Sequence, residues 1–266
     1  MTPVEITRGD SPVILGLPHT GTYLPDDMRA NLRADAQDLR DTDWHVHTLY
    51  DGLLPGATTV RATFHRYVID ANRDPTGKSL YPGQNTTGLV PVTDFDGAPL
   101  WQVDPTEDEI HIRRAAFHAP YHAALTEEIA RIKAIHGVAV LYDCHSIRSN
   151  IPHLFDGTLP DLNIGTNDGR SCAKMLSDTV ERICRSNQTY STVLNGRFKG
   201  GWTTRHYGRP GAGVHAIQME LAQSTHLVSE DPPFDYDPIK AAALRETLAR
   251  ILKTLETMSL SLRTLP

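Results

Sequence analysis

Cysteine is scarce in this 266-residue chain, and the three present, Cys144, Cys172 and Cys184, form an odd set without close spacing. That excludes a disulfide framework and points to reduced thiols. Long apolar runs are absent: no stretch approaches the roughly 18 consecutive apolar residues of a membrane helix. The opening MTPVEITRGDSP lacks a basic region followed by an apolar run, so no secretory signal is expected and the cytoplasm is the expected compartment. Basic residues are outnumbered, 26 Lys and Arg against 32 Asp and Glu, for a formal charge of -6. This argues against nucleic acid or an anionic membrane as the main partner. A small anionic substrate remains compatible, because the local field of a site can oppose the net charge. G-x-S-x-G, Walker A and G-x-G-x-x-G patterns are also missing, which removes support for a serine hydrolase, a P-loop NTPase or a dinucleotide enzyme.

What is present suffices for a core: 39% hydrophobic and 22% charged residues. With no repeat and no low-complexity linker, residues 1–266 are expected to form a single domain. Apolar runs predict strands over 12–18, 57–60, 66–71, 138–146 and 214–222. Helical spacing predicts helices over 42–54, 105–137, 168–184 and 239–258, with Pro120 breaking or kinking the second. Residues 74–101, rich in Gly, Pro, Thr and Asn, read as a long irregular segment of the kind that often carries function. Strands alternating with helices imply an α/β fold, with a mixed, largely parallel sheet covered by helices on both faces. In such sheets the site lies beyond the carboxyl ends of the strands. His19, Asn72, Arg73, the stretch from Asp143 to Arg148, and Glu220 all fall at or just after predicted strand ends.

Several of these residues have a plain reading beside a chemical one. His19 either bonds loop backbone or offers a nitrogen to a shared point. His145 either caps a strand or binds a metal; Asp143 shares its strand parity and can orient the imidazole through the second nitrogen. Asp41 and Asp43 suit helix capping, while a His/His/carboxylate zinc site needs one acid, for which Asp43 is preferred and Asp41 is the rival. His45 and His47 fall on other helix faces. Arg66, Asn72 and Arg73 in HRYVIDANRD either pair with Asp70 and Asp74 or grip a carboxylate, and Arg66 can alternatively polarise a carbonyl. Glu220 either pairs with an arginine or serves as general base. Arg148, Arg205 and Arg209 are further candidates for an anionic group. Cys144 invites a thiol-nucleophile reading, but adjacent strand residues face opposite ways, so His145 is poorly placed to activate it.

Taken in order, PHTGTYLPDD, DTDWHVHTLYDG, HRYVIDANRD, YDCHSIRS and IQMELAQ resemble the N-formylglutamate deformylase (amidohydrolase) family from about Ser11 to His226. The resemblance implies a metal-dependent enzyme of histidine catabolism that forms L-glutamate and formate. It also implies a zinc-carboxypeptidase-like fold, shared with aspartoacylases. Those relatives use a His-x-x-Glu pair, a later His, an Asn-Arg pair, another Arg and a late Glu. His19, His145, Asn72-Arg73, Arg66 and Glu220 match that order, but Thr22 stands where the first Glu belongs.

The expected scheme is therefore Zn2+, or another divalent metal, on His19, Asp43 and His145. Glu220 is the base and Arg66 stabilises the oxyanion. Asn72 and Arg73 hold one substrate carboxylate, and Arg148, Arg205 or Arg209 holds the other. The alternatives are a metal amidase or peptidase for another N-acyl amino acid, and a non-catalytic amino-acid-binding protein.

Overall fold

The computed structural model describes residues 2–80 and 82–263. Its strands are β1 (Val4–Thr7), β2 (Val13–Leu17), β3 (Thr58–Ala62), β4 (Ala139–Ile147), β5 (Leu162–Gly165), β6 (Thr192–Leu194) and β7 (Val214–Ala222). The helices are α1 (Asp26–Asn31), α2 (Val46–Tyr50), α3 (Glu107–Arg113), α4 (Ala119–His136), α5 (Lys174–Ser186), α6 (Trp202–Tyr207) and α7 (Pro238–Ser259).

One sheet runs β1-β3-β2-β4-β7-β5-β6. The four central strands are parallel, as are β5 and β6 to each other; β1 and β5 join the rest antiparallel. This is the mixed, largely parallel sheet expected from the alternation of elements. The period-2 pleat divides the side chains between two cores. Val140, Tyr142 and Cys144 of β4 enter one core with α2, α5 and α7. Ala139 and Leu141 enter the other with Tyr121, Leu125, Ile129 and Ile132, the apolar stripe of α4. Helix α7 starts where its sequence dictates: Asp237 accepts from the Ile239 and Lys240 amides, with Pro238 in the first turn. Among the described residues no helix is long and apolar enough to cross a membrane.

Three expectations change, and the one at Pro120 takes a specific form. The helix expected over 42–54 shrinks to α2, because His45 sits at φ 59° and the preceding turn bonds elsewhere, Asp43 N to His19 O at 3.0 Å. Residues 66–71 are buried but not extended. Their amides bond inward instead, Val68 N to His65 O at 2.9 Å and Asp70 N to Leu89 O at 2.7 Å. At Pro120 the expected break or kink takes the form of a local interruption, after which helix resumes. A π turn over Arg114–His118, with Ala119 N bonded to Arg114 O, widens the backbone just ahead of the proline ring. The helix expected from 168 begins only at Lys174, since Asn167 and Asp168 hold positive φ. The short strands β1, β5 and β6 were not expected at all.

Candidate active site

The same pleat that builds the second core also builds the site. On β4 and β7 the parity of Leu141 and Ala216 continues to Asp143 and His145, and to Gln218 and Glu220. The apolar face thus turns polar at the carboxyl ends of the parallel strands. His145 and Glu220 are direct partners in the β4–β7 register. His19 follows β2. Asp43 is drawn beside it by the backbone bond to His19 O. Gly21 lets this loop run against the Thr63 and Phe64 backbone, where any Cβ would collide.

His19 Nδ1 and His145 Nδ1 lie 3.2 Å apart, with Asp43 Oδ2 3.1 Å from the latter and 3.8 Å from the former. All three side chains are buried. The opposite nitrogens face carboxylates: His19 Nε2 is 2.7 Å from Asp70 Oδ1, and His145 Nε2 is 3.2 Å from Asp143 Oδ2. Asn72 Nδ2 also lies 3.1 Å from His145 Nε2, but the charged Asp143 outweighs a neutral amide as partner for an N–H there. With both Nε2 atoms protonated, two imidazole lone pairs and a carboxylate oxygen converge on one point. Donors about 2.0–2.2 Å from a tetrahedral ion stand roughly 3.3–3.6 Å apart, so the spacing fits one cation. His19, Asp43 and His145 thus form a buried group able to hold a metal ion. Asp41, the rival ligand, lies outside it. Its Oδ2 accepts from Phe95 N at 3.0 Å, and burial pushes its carboxyl up to about 7.

The electrostatics agree. Burial lowers His19 to about 4, with Arg66 adding to the effect. Burial also works against charge on His145, yet Asp143 and Asp43 together raise it well above the usual range. The field that favours a proton there favours any cation, so metal and proton compete for this nitrogen. Arg66 answers the same field: its Nη2 contacts His19 Nδ1 and lies 3.9 Å from Asp43 Oδ1, while its guanidinium covers the Phe95 ring. Asp70 is equally buried, but Arg73, His19 and Arg66 overcome that burial and hold it well below the usual carboxylate range.

A cleft with about 600 Å³ of empty space, mouth included, opens over this group. It brings together His19, His145, Arg66, Asn72, Arg73 and Glu220. Burial raises Glu220 to about 7 against the pull of His145 and Arg66. Asn72 is spent internally: its Oδ1 accepts from Thr203 N at 2.9 Å, and Gly201 packs so close to its amide that a Cβ there would clash. Arg73 donates from Nε to Thr87 O at 2.9 Å and from Nη2 to Thr87 Oγ1 at 3.0 Å.

The three remaining arginines do not join the lining. Arg148 pairs with Asp96 at 2.7 Å, Arg205 donates to Gly200 O at 2.9 Å, and Arg209 donates to the carbonyls of Arg205 and Gly208. Cys144 is buried in the opposite core, where burial raises its thiol well above normal. Sequence reasoning missed Asp70 as the partner of His19. It also missed Arg197, which does line the cleft. Asp70 stands two residues before Asn72 in HRYVIDANRD, yet a strand reading there gave it no role beyond a surface ion pair.

Residues 11–227 match the N-formylglutamate amidohydrolase family. The chain belongs to it. An N-formylglutamate deformylase from Pseudomonas aeruginosa is 47% identical over 95% of both chains. One from Pseudomonas putida is 45% identical over 93% of both. The crystal structure of an N-formylglutamate amidohydrolase from Ralstonia eutropha superposes with a TM-score of 0.81 at 27% identity, covering 97% of this chain and 98% of that one. A protein from Agrobacterium tumefaciens shares the fold, with a TM-score of 0.73 at 20% identity over 97% of this chain and 96% of its own. For an N-formylglutamate amidohydrolase family member, a buried carboxylate facing a histidine-rich donor cluster is a chemically coherent centre.

Proposed function

We propose that this chain hydrolyses the formyl amide of N-formyl-L-glutamate to L-glutamate and formate, with a divalent cation, zinc foremost, held by His19, Asp43 and His145. The observation that carries the reading is the convergence of His19 Nδ1, His145 Nδ1 and Asp43 Oδ2 in a cleft that also holds Glu220 and Arg66. The substrate comes from the two deformylases that are 47% and 45% identical over nearly the whole chain.

When bound, the cation supplies an acidified water and an electrophile for the scissile carbonyl. Glu220 takes the proton of the attacking water as the C–O bond forms at the formyl carbon. It then hands that proton to the amide nitrogen as the C–N bond breaks, so the amine leaves neutral. Arg66 donates an N–H to the carbonyl oxygen as charge develops on it. Arg73 takes a carboxylate of the substrate with its planar fork. Asp70 and Asp143 fix the two imidazole rings, as the outer partners of metal-bound histidines do.

Purified protein should release formate from N-formyl-L-glutamate faster than it cleaves the N-acetyl or N-succinyl analogues. Activity should vanish on chelation and return with added metal, and elemental analysis of the active enzyme identifies the ion. Absence of formate release, or full activity after thorough metal removal, overturns the proposal.

A further inference from the structure

A dicarboxylate needs two cationic partners, and the sequence offers more arginines than the cleft uses. Among the described lining residues three are arginines: Arg66, Arg73 and Arg197. Arg66 is committed to the donor cluster, against His19 and near Asp43. Arg73 stands next, with Nη1 3.6 Å from the Asp70 carboxylate that holds His19. Arg197 lies further out. Its Nε donates to Leu154 O at 3.0 Å and its Nη2 to Asn85 O at 3.1 Å. Both of these bonds go to backbone carbonyls and orient the guanidinium at the cleft wall. Arg197 also sits over the Phe198 ring, 5.4 Å from its centroid. Leu154 and Phe198 pack with Ile147, Ile151 and Leu159 in a small core of their own, which gives this edge of the cleft a rigid base.

Both outer arginines grip the same short segment, Arg73 at Thr87 and Arg197 at Asn85. Two residues of chain reach at most roughly 7 Å, so this segment anchors both guanidinium groups at one edge of the same cleft. The chemistry of the substrate orders them. Its α-carboxylate is two bonds from the amide nitrogen that reacts, and its side-chain carboxylate is four bonds away.

Resting on the deformylase reading above, we infer that Arg73 takes the α-carboxylate and that Arg197 is the specificity residue that reads the side-chain carboxylate. Arg197 replaces Arg148, Arg205 and Arg209 in that part. The first of these is paired with Asp96, and the other two bond backbone carbonyls outside the cleft lining.

The test compares N-formyl-L-glutamate with the nearly isosteric N-formyl-L-glutamine, which keeps the α-carboxylate but has an uncharged side chain, on metal-loaded wild type, Arg197→Met and Arg197→Lys. Losing a charge-assisted hydrogen bond to a carboxylate should cost roughly 10–100-fold in kcat/KM. The loss should fall on the glutamate substrate, so that the glutamate-to-glutamine preference of Arg197→Met drops at least about tenfold. Arg197→Lys should recover part of it, as a point charge without the planar fork. Turnover of the glutamine substrate reports that each variant is folded. Equal losses on both substrates, or an unchanged preference, overturn the assignment to Arg197 and leave the deformylase reading standing. A wild-type enzyme inert towards N-formyl-L-glutamate overturns both.

Discussion

Glu220 owes its position to a strand register and its chemistry to burial. It faces His145 across parallel strands, and Gln218 Nε2 donates to its Oε2 at 3.0 Å. Burial raises its pKa to about 7; His145 and Arg66 pull it down, while Asp43 and Asp143 push it up. A base acts only when ionised, so protonation on lowering the pH silences it, and kcat/KM should fall about tenfold per pH unit on the acid limb. A bound dication adds to the pull of Arg66, which sets that limb below pH 7. Glu220→Gln should keep its metal content, lose roughly 10²–10⁴-fold in turnover and lose the acid limb from what activity remains. A pH–rate profile with metal analysis checks this; a variant within a few-fold of wild type, still with its acid limb, would remove Glu220 from the base role. At this scale much was legible. Strand parity alone aimed Asp143 and His145 to one side. Asp43 was separable from Asp41 only in three dimensions, because the difference lies in a backbone bond to His19 O.

Among the elements, the segment from Asp70 to Arg73 matters most, and it is neither helix nor strand. The apolar residues across 66–71 signalled a buried strand, and these residues are buried. Extension was wrong, because Asp70 spends its side chain on the Asn72 amide at 2.8 Å and its carbonyl on Arg73 N. The segment is held from behind by the helical run across the π turn. His118 Nε2 donates to Arg73 O at 3.0 Å and His122 Nε2 to Ala71 O at 2.8 Å. Burial lowers His122 to about 3, so its ring is neutral and Nε2 carries the proton to be donated. The π turn that accommodates Pro120 is therefore also what sets these two donors on the loop, a use that a proline in a helical pattern does not announce. His122→Phe keeps the ring and removes the donor, leaving a buried carbonyl without its partner. Stability should fall by about 1–3 kcal/mol. kcat/KM should fall as well, since Asp70, Asn72 and Arg73 all ride on this loop. Thermal unfolding and steady-state kinetics on one preparation test it; no change in either would mean the loop holds its shape without α4.

For the molecule as a whole, the central strands β2, β4 and β7 were legible because both their faces are buried and their sequences read as largely apolar runs, whereas β3, TTVRA, is buried only at alternate residues. The outer strands β1, β5 and β6, of four, four and three residues, carry too little pattern to register. The site itself is assembled from segments remote in sequence: the loop after β2, the turn before α2 and the end of β4. An ion on His19, Asp43 and His145 would tie these segments together, and it has no such cluster to bind in the unfolded chain. It should therefore stabilise the native state by linkage, by about 2.7 kcal/mol when free metal is a hundredfold above its dissociation constant. For a chain of this size that amounts to roughly 5–10 °C in Tm. Stripping the metal should lower Tm by that amount, and restoring it should recover both Tm and activity. In Asp43→Asn, which loses the anionic ligand, the response of Tm to metal should largely disappear. A Tm indifferent to chelator and metal in the wild-type chain would mean that the three side chains hold no ion, and that the negative field around His145 is balanced by Arg66 alone.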